Sequence, residues 1–245
     1  MEHVRDIVIG DVHGCIDELN ELLVLVSYSP RTDRLVIAGD LVDKGPDSAA
    51  VVRRVRELGA ESVMGNHDEW YARFHRRLTD GECKMRRTPD REKIYRSLSR
   101  EDLEWMQAMP KFIRLDERTV VVHAGFRKSV PVEEQDFDDC LHLRYVRRES
   151  GERWNMASVT LLTPDVAAFW TEVWAGPEDV VYGHHPSKSE TVLTECAGAR
   201  CWGIDTGCCF GNKLTAWVRT GAGVELVSVS ARAQYSSWHR SMQEG

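Results

Sequence analysis

Apolar positions along the chain alternate between short continuous runs and helical spacing. The run from Val4 to Gly10, broken by Arg5 and Asp6, ends in GDVHG, and from Cys15 to Ser27 apolar residues fall at Ile16, Leu19, Leu22, Leu23 and Val26. That three-and-four spacing predicts an amphipathic helix behind a strand. The pattern returns twice. Leu35 to Gly39 leads through GDLVDKG into a helical stretch over Ser48 to Leu58, with Val51, Val52 and Val55 on one face. Ser62, Val63 and Met64 then lead into GNHD and a further helical stretch from Glu69. Three β-loop-α units in succession predict a parallel sheet with right-handed crossovers. Loops at the carboxyl ends of its strands share one edge, the edge where open α/β sheets hold ligands.

Farther along, periodicity fades from about Leu78 to Thr88, and the stretch up to Arg100 reads as a cap or mobile flap. A capping box at Ser99 to Asp102 starts a helix that runs through Met109 and stops at Pro110. Phe112 to Leu115 and Thr119 to Val122 read as a hairpin that delivers His123, and residues 127 to 163 read as irregular. Pro164 to Trp174 is expected to be a helix with Trp170 and Trp174 in the core, and Val180 to Tyr182 a strand into GHHP. Short runs at Thr191 to Thr194, Trp202 to Asp205, Leu214 to Val218 and Val224 to Val229, the last two joined by a turn at Thr220 to Gly223, predict a second, mostly antiparallel sheet. The expected organisation is one domain over residues 1–230 and a loosely tethered tail over 231–245.

Composition narrows the picture. With 245 residues and 42% hydrophobic content the chain can bury a sizeable core as a single domain. It has no uninterrupted apolar segment of membrane-spanning length, and its N-terminus lacks the pattern of a signal peptide, so the expected location is cytoplasmic. Seven cysteines at irregular spacing read as free thiols, and Cys196, Cys201, Cys208 and Cys209 lack the paired spacing of a structural zinc site. A net charge of -7 argues against a general nucleic-acid coat. The average conceals a local reversal, since Arg73 to Arg100 carries ten Lys/Arg against four acids. Such a segment is either a solvated helical face or a basic flap that attracts an anion. The acids at Glu133, Glu134, Asp136, Asp138 and Asp139 are expected at the solvated surface.

Candidate chemistry sits where strands end. Asp11 and His13 lie in GDVHG, Asp40 and Asp43 in GDLVDKG, Asn66 and His67 in GNHD, His123 in HAG, and His184 and His185 in GHHP. Imidazole nitrogen mixed with carboxylate or amide oxygen suits divalent transition ions better than calcium. A paired site with a shared carboxylate can clamp both the attacking and the leaving oxygen of a phosphoryl displacement.

These five motifs, in this order over residues 10–186, resemble the signature of the PPP-type calcineurin-like metallophosphoesterases. KGP at Lys44 to Pro46, GNHD and IDTGCCFGNKLTA (Ile204 to Ala216) look like the branch of symmetrical diadenosine tetraphosphatases within that group. The resemblance implies a four-layered α/β/β/α sandwich with mixed sheets, two divalent metal ions (manganese, cobalt, iron or zinc), and attack by a water held between them. It implies Asp11, His13 and Asp40 on one metal, Asp40, Asn66, His123 and His184 on the other, and His67 as general acid oriented by Asp43. Lys44 stands where the family usually has arginine and is a phosphate-binding candidate without a bidentate fork. Arg147 in LRYVR is a second such candidate, with Arg144 and Arg148 as alternatives, and His185 is expected to lie just behind the substrate site.

The implied activity is hydrolysis of phosphoanhydrides in dinucleoside polyphosphates, diadenosine tetraphosphate giving two ADP, or of related capped RNA 5′ ends. A serine/threonine phosphoprotein phosphatase, a polyphosphatase and a non-catalytic metal or nucleotide-binding module are the alternatives.

Overall fold

The computed structural model describes residues 5–82, 88–153, 166–188 and 190–237. Its first half follows the predicted rhythm. Strand β1 (Arg5–Ile9) precedes α1 (Ile16–Leu25), β2 (Asp33–Ile37) precedes α2 (Ser48–Glu57), and the short β3 (Glu61–Ser62) precedes α3 (Asn66–Thr79). The three strands pair in parallel. Side chains alternate across them. Ile7 and Ile9 of β1 and Leu35 and Ile37 of β2 pack beneath the helices against Leu19, Val51 and Phe74, whereas Val8 and Val36 face the other way. Both faces are covered, and for that reason these strands read as continuous apolar runs.

The basic stretch contributes α4 (Pro89–Ser97), opened by Thr88, whose side chain accepts the Arg91 N–H, with Pro89 in its first turn. Residues 83–87, which include Arg86 and Arg87 of the expected flap, lie outside the described residues. Helix α5 (Arg100–Gln107) begins with the expected capping box: Ser99 Oγ accepts the Asp102 N–H at 3.1 Å and Asp102 Oδ2 accepts the Ser99 N–H at 2.9 Å. The same Asp102 carboxylate holds Arg56 of α2, so this cap also ties two helices together.

A hairpin of β4 (Phe112–Arg114) and β5 (Thr119–Val122) opens the second sheet. After α6 (Phe137–His142), β6 (Tyr145–Arg147) pairs with β7 (Ala167–Phe169) as a separate two-stranded ribbon. Next come β8 (Asp179–Tyr182), β9 (Val192–Cys196), β10 (Ala199–Gly203), β11 (Lys213–Thr220) and β12 (Gly223–Ser230). The two large sheets have the orders β12-β11-β1-β2-β3 and β4-β5-β8-β10-β9. Val8, Val36, Val121, Val181, Trp202 and Trp217 fill the space between them. Trp170, Trp174, Val120 and Val180 form a further core on the outer face of the second sheet. The layers therefore run α/β/β/α, with a thin last layer made of α6, the β6–β7 ribbon and a 3₁₀ turn at Trp170–Glu172.

Four local expectations are revised. Strands β11 and β12 join the first sheet, with β11 antiparallel to β1 and Ile7 opposite Val218. The second sheet is half parallel, through β5, β8 and β10. Instead of a helix ending at Trp174, the described residues give β7 and then the 3₁₀ turn, because pairing with β6 fixes an extended backbone whatever the local propensity. Both tryptophans are nevertheless core residues. In the acidic cluster, Asp139 is buried and paired with Arg127 at 2.6 Å.

The described part of the expected tail, residues 231–237, is anchored rather than loosely tethered. The Arg232 N–H and the Tyr235 hydroxyl both donate to Glu18 Oε1 at 2.8 Å, and the Tyr235 and Ser236 N–H groups donate to the Cys209 carbonyl. Residues 238–245 lie outside the described residues.

Trp217 is 1% exposed and meets Trp202 edge to face at 5.6 Å between the sheets. Trp217→Ala is expected to lower unfolding free energy by about 3–5 kcal/mol, whereas Leu226→Ala on the exposed side of β12 changes it by less than about 0.5 kcal/mol. Urea midpoints measure both.

Candidate metal centre and catalytic pair

The two sheets bring six parallel strand ends to one place. Asp11 and His13 follow β1, Asp40, Asp43 and Lys44 follow β2, and Asn66 and His67 follow β3; His123 follows β5, His184 and His185 follow β8, and Asp205 follows β10. The loops cross-link at once. The His184 N–H donates to both Asp11 carboxylate oxygens at 3.1 Å, and the His67 N–H donates to Asp40 Oδ1 at 3.0 Å. Asp68, at the start of α3, accepts the Leu41 N–H at 3.0 Å and so binds the β2 loop to the β3 loop.

Asp40 is the centre of the arrangement. Its Oδ2 lies 3.4 Å from His13 Nε2 and its Oδ1 lies 3.5 Å from His123 Nε2. Both rings have their other nitrogen committed, since His13 Nδ1–H donates to the Val42 carbonyl and His123 Nδ1–H to the Ala38 carbonyl, each at 2.8 Å. Each Nε2 is therefore an acceptor turned toward another acceptor. Asn66 Oδ1 adds a third, 3.0 Å from both His123 Nε2 and His184 Nδ1.

Electrostatics sharpen the point. Burial, followed by the charges of Asp205 and Asp40, pushes the Asp11 carboxyl well above its ordinary range. Burial pushes Asp205 up to about 6 against the pull of the Gly207 N–H and Lys44. Burial also holds His13, His123 and His184 below the ordinary imidazole value, in the neutral form that ligates metals. Like charges and lone pairs gathered out of water are costly unless a cation joins them. The donor set fits divalent metal ions, and it fits a shared ligand at Asp40. Asp11, Asp40 and His123 form one convergent group of candidate ligands, and His13, Asp40 and His67 another.

Beside this cluster, His67 Nδ1 meets Asp43 Oδ2 at 2.6 Å, both side chains being buried. The Tyr71 hydroxyl donates to the other Asp43 oxygen, and burial raises Tyr71 above its ordinary range, which keeps that proton in place. Asp43 is held below the ordinary carboxylate range: burial pushes upward, but the bonds from His67 and Tyr71 prevail. The carboxylate thus fixes the ring of His67 and leaves Nε2 as its working atom.

Protein cations flank the centre. Lys44 Nζ is 2.9 Å from His13 Nε2 and stands over the Phe210 ring. Arg144, largely buried, places Nε 3.1 Å from His184 Nε2. Arg147 is exposed on β6. The structure therefore brings Arg144, not Arg147, to the centre. The offset of three positions carries Arg147 about 10 Å along the strand from Arg144. His185 is exposed against the Phe169 ring at 5.0 Å.

Asp205 and Tyr71 were not picked out by sequence reasoning. Asp205 follows an apolar run, as Asp11 and Asp40 do, and a parallel strand ending in Ile-Asp was the available signal. Nothing local marks Tyr71, which reads as one more aromatic on the apolar face of α3.

The backbone carries the imprint of the site. His13, Asp40, Asp43, Lys44 and His184 have φ between 46° and 67°, the left-handed region. Each such non-glycine residue costs on the order of 1–3 kcal/mol. Gly39, at φ 90°, is held by space as well, because a Cβ there would lie 2.8 Å from His123 Nδ1 and 2.9 Å from Gly65.

A cluster of acceptors calling for divalent cations, guarded by basic side chains and served by a fixed histidine, suits one kind of chemistry, the transfer of phosphoryl groups to water. The class is that of metal-dependent phosphohydrolases. The chain belongs to the calcineurin-like phosphoesterase family, whose model matches residues 5–221.

It is 30% identical, over 93% of both chains, to an asymmetrical bis(5′-nucleosyl)-tetraphosphatase of Oceanobacillus iheyensis. It is 25% identical to a symmetrical bis(5′-nucleosyl)-tetraphosphatase of Shewanella baltica, over 85% of this chain and 92% of the other. Among solved structures, a candidate diadenosine tetraphosphatase is similar with a TM-score of 0.77 and 31% identity, covering 94% of this chain and 96% of the other. A serine/threonine phosphatase of Saccharomyces cerevisiae shares the fold with a TM-score of 0.61 at 15% identity, over 95% of this chain and 81% of the other.

Gly39→Ala should weaken manganese binding by about 10- to 100-fold, the usual cost of disturbing the support of a metal-ligating histidine. Equilibrium dialysis of the purified protein reads it. Unchanged affinity would show that His123 does not ligate.

Proposed function

We propose that this protein hydrolyses a phosphoanhydride bond in dinucleoside polyphosphates, with diadenosine tetraphosphate as the representative substrate. The observation that carries the reading is full-length likeness at 30% identity to a bis(5′-nucleosyl)-tetraphosphatase, and the cations at Lys44 and Arg144 are its physical complement. A polyphosphate bridge carries several negative charges and rewards cations on more than one side.

Two divalent ions, manganese or cobalt being the forms to test first, would be held by Asp11, His13, Asp40, Asn66, His123 and His184. Bound there, they supply Lewis-acid polarisation of the phosphoryl oxygens and a water acidic enough to attack at neutral pH. The chain's own residues do the remainder. Lys44 and Arg144 bind non-bridging phosphate oxygens, Lys44 as a point charge and Arg144 as a fork. His67, its Nδ1–H donated to Asp43, delivers a proton from Nε2 to the leaving phosphate oxygen. Capped RNA 5′ ends carry the same anhydride and fall within the same chemistry. A cytoplasmic location is supported by the free thiols among the described residues.

Purified protein with manganese should release nucleotides from diadenosine tetraphosphate, and anion-exchange chromatography tells two ADP from ATP plus AMP. Efficient turnover of phosphopeptides with none of the dinucleotide would overturn the reading. His67→Ala should lower turnover by about 10²- to 10⁴-fold with metal content unchanged. Loss of metal would make His67 a ligand instead of the acid.

Arg144→Ala should lower kcat/KM by about 10²-fold, whereas Arg147→Ala should change it by less than about twofold. The reverse ranking would return the phosphate contact to Arg147.

A further inference from the structure

A groove of about 1000 Å³ runs from the catalytic pair along α4, walled by Asp43, Lys44, Trp70, Arg91, Ile94 and Tyr235. Neither Arg144 nor His185 lines it. Its volume lies in the range of small-molecule sites. Resting on the dinucleoside polyphosphate reading above, we propose that this groove seats the leaving nucleotide, with Arg91 as its phosphate clamp.

Position supplies the first argument. A general acid stands on the side of the leaving group, because it protonates the oxygen that departs. His67 is held by Asp43, and Asp43 forms the inner wall of the groove. The departing phosphate therefore moves along the wall that leads to Arg91.

Arg91 supplies the second. Its guanidinium stacks on the Trp70 ring at 4.8 Å, and Trp70 is itself stacked on Phe74 at 5.1 Å. Its backbone N–H is fixed by the Thr88 side chain at 3.3 Å. Its contact with Asp43 is only an ion pair of 3.5 Å, too long for a hydrogen bond, while Asp43 takes its short bonds from His67 and Tyr71. Among the described residues no hydrogen bond engages the guanidinium. Trp70 holds it flat, and its donor edge stays available to phosphate.

Charge and shape complete the case. Lys93 adds a third cation to the groove beside Lys44 and Arg91, facing the carboxylates of Asp43, Asp47 and Asp90, of which Asp47 is occupied with capping α2 through the Ala50 N–H at 2.9 Å. Ile94 and the ring of Tyr235 offer apolar surface farther out, suited to a nucleoside. Arginine grips a phosphate through two parallel N–H bonds, which a lysine cannot do. Lys44 and Arg144 thus serve the phosphates at the centre, and Arg91 supplies a separate fork for the leaving phosphate from a different element.

The test compares unaltered protein with Arg91→Ala and Arg91→Lys on diadenosine tetraphosphate and on p-nitrophenyl phosphate, whose leaving group is too small to reach α4. Isothermal titration of ADP into the metal-free proteins gives a second readout, and thermal melts check folding. Arg91→Ala should raise KM for the dinucleotide by about tenfold or more, as loss of a charge-assisted phosphate contact does, with a much smaller change on p-nitrophenyl phosphate. ADP affinity should fall by a similar factor. Arg91→Lys, which keeps stem and charge, should recover only part of both.

Equal losses on the two substrates with ADP affinity unchanged would overturn the proposal and make Arg91 a support of the Asp43–His67 pair. Unchanged KM and unchanged ADP affinity would overturn it as well. If unaltered protein left the dinucleotide intact, the activity reading would fail alone, and the ADP titration would still decide whether Arg91 holds a nucleotide.

Discussion

Burying several electron-rich atoms at one point is the constraint on which the rest of this structure depends. Asp11, Asp40 and Asp205 are each no more than 5% exposed, and the imidazoles of His13 and His123 turn lone pairs toward Asp40. In water such groups would repel weakly and be solvated, but out of water the repulsion is several times stronger. The fold holds them together because each rides on a strand whose two faces are buried in apolar packing. Hydrophobic burial far from the site thus offsets electrostatic and conformational cost at it. Of the eight non-glycine residues with positive φ among the described residues, five face the centre: His13, Asp40, Asp43, Lys44 and His184.

The same constraint explains why two sheets are present. A single sheet of three parallel strands could supply Asp11, Asp40 and Asn66 but not the histidines opposite. Those come from β5 and β8 of the second sheet, with Trp202, Trp217 and the valines of both sheets fixing the distance between the two edges. Precision at the centre, where a carboxylate stands between two imidazoles, is therefore set by tryptophan and valine packing between the layers.

How much of this was legible from sequence depended on the range of the interaction. The strand-loop-helix units, the capping box at Ser99 and the hairpin before His123 are local, and they appear where the apolar pattern placed them. The candidate residues Asp11, His13, Asp40, Asp43, Asn66, His67, His123 and His184 come together because strand ends in parallel sheets do so. What escaped was non-local. No pattern within Lys213 to Ser230 says that its partner is β1, and pairing with β6 overrode the helical look of the segment before Trp174. Arg144 and Arg147 differ only in which of them sits at the end of a three-residue strand. Asp205 and Tyr71 had no motif of their own, and they became visible only through the partners they meet.

The placement of β11 has a consequence for the order in which the protein comes into being. Residues 213–220 lie between β1 and β12, so β1 takes its neighbour on that side from a strand made long after it. Tyr235, which walls the groove along α4, follows later still. Until those residues have left the ribosome, the loop of Asp11 and His13 hangs from a sheet missing one side, and such long-range closure is slow. The nascent chain therefore carries the candidate ligands as scattered side chains rather than as a site.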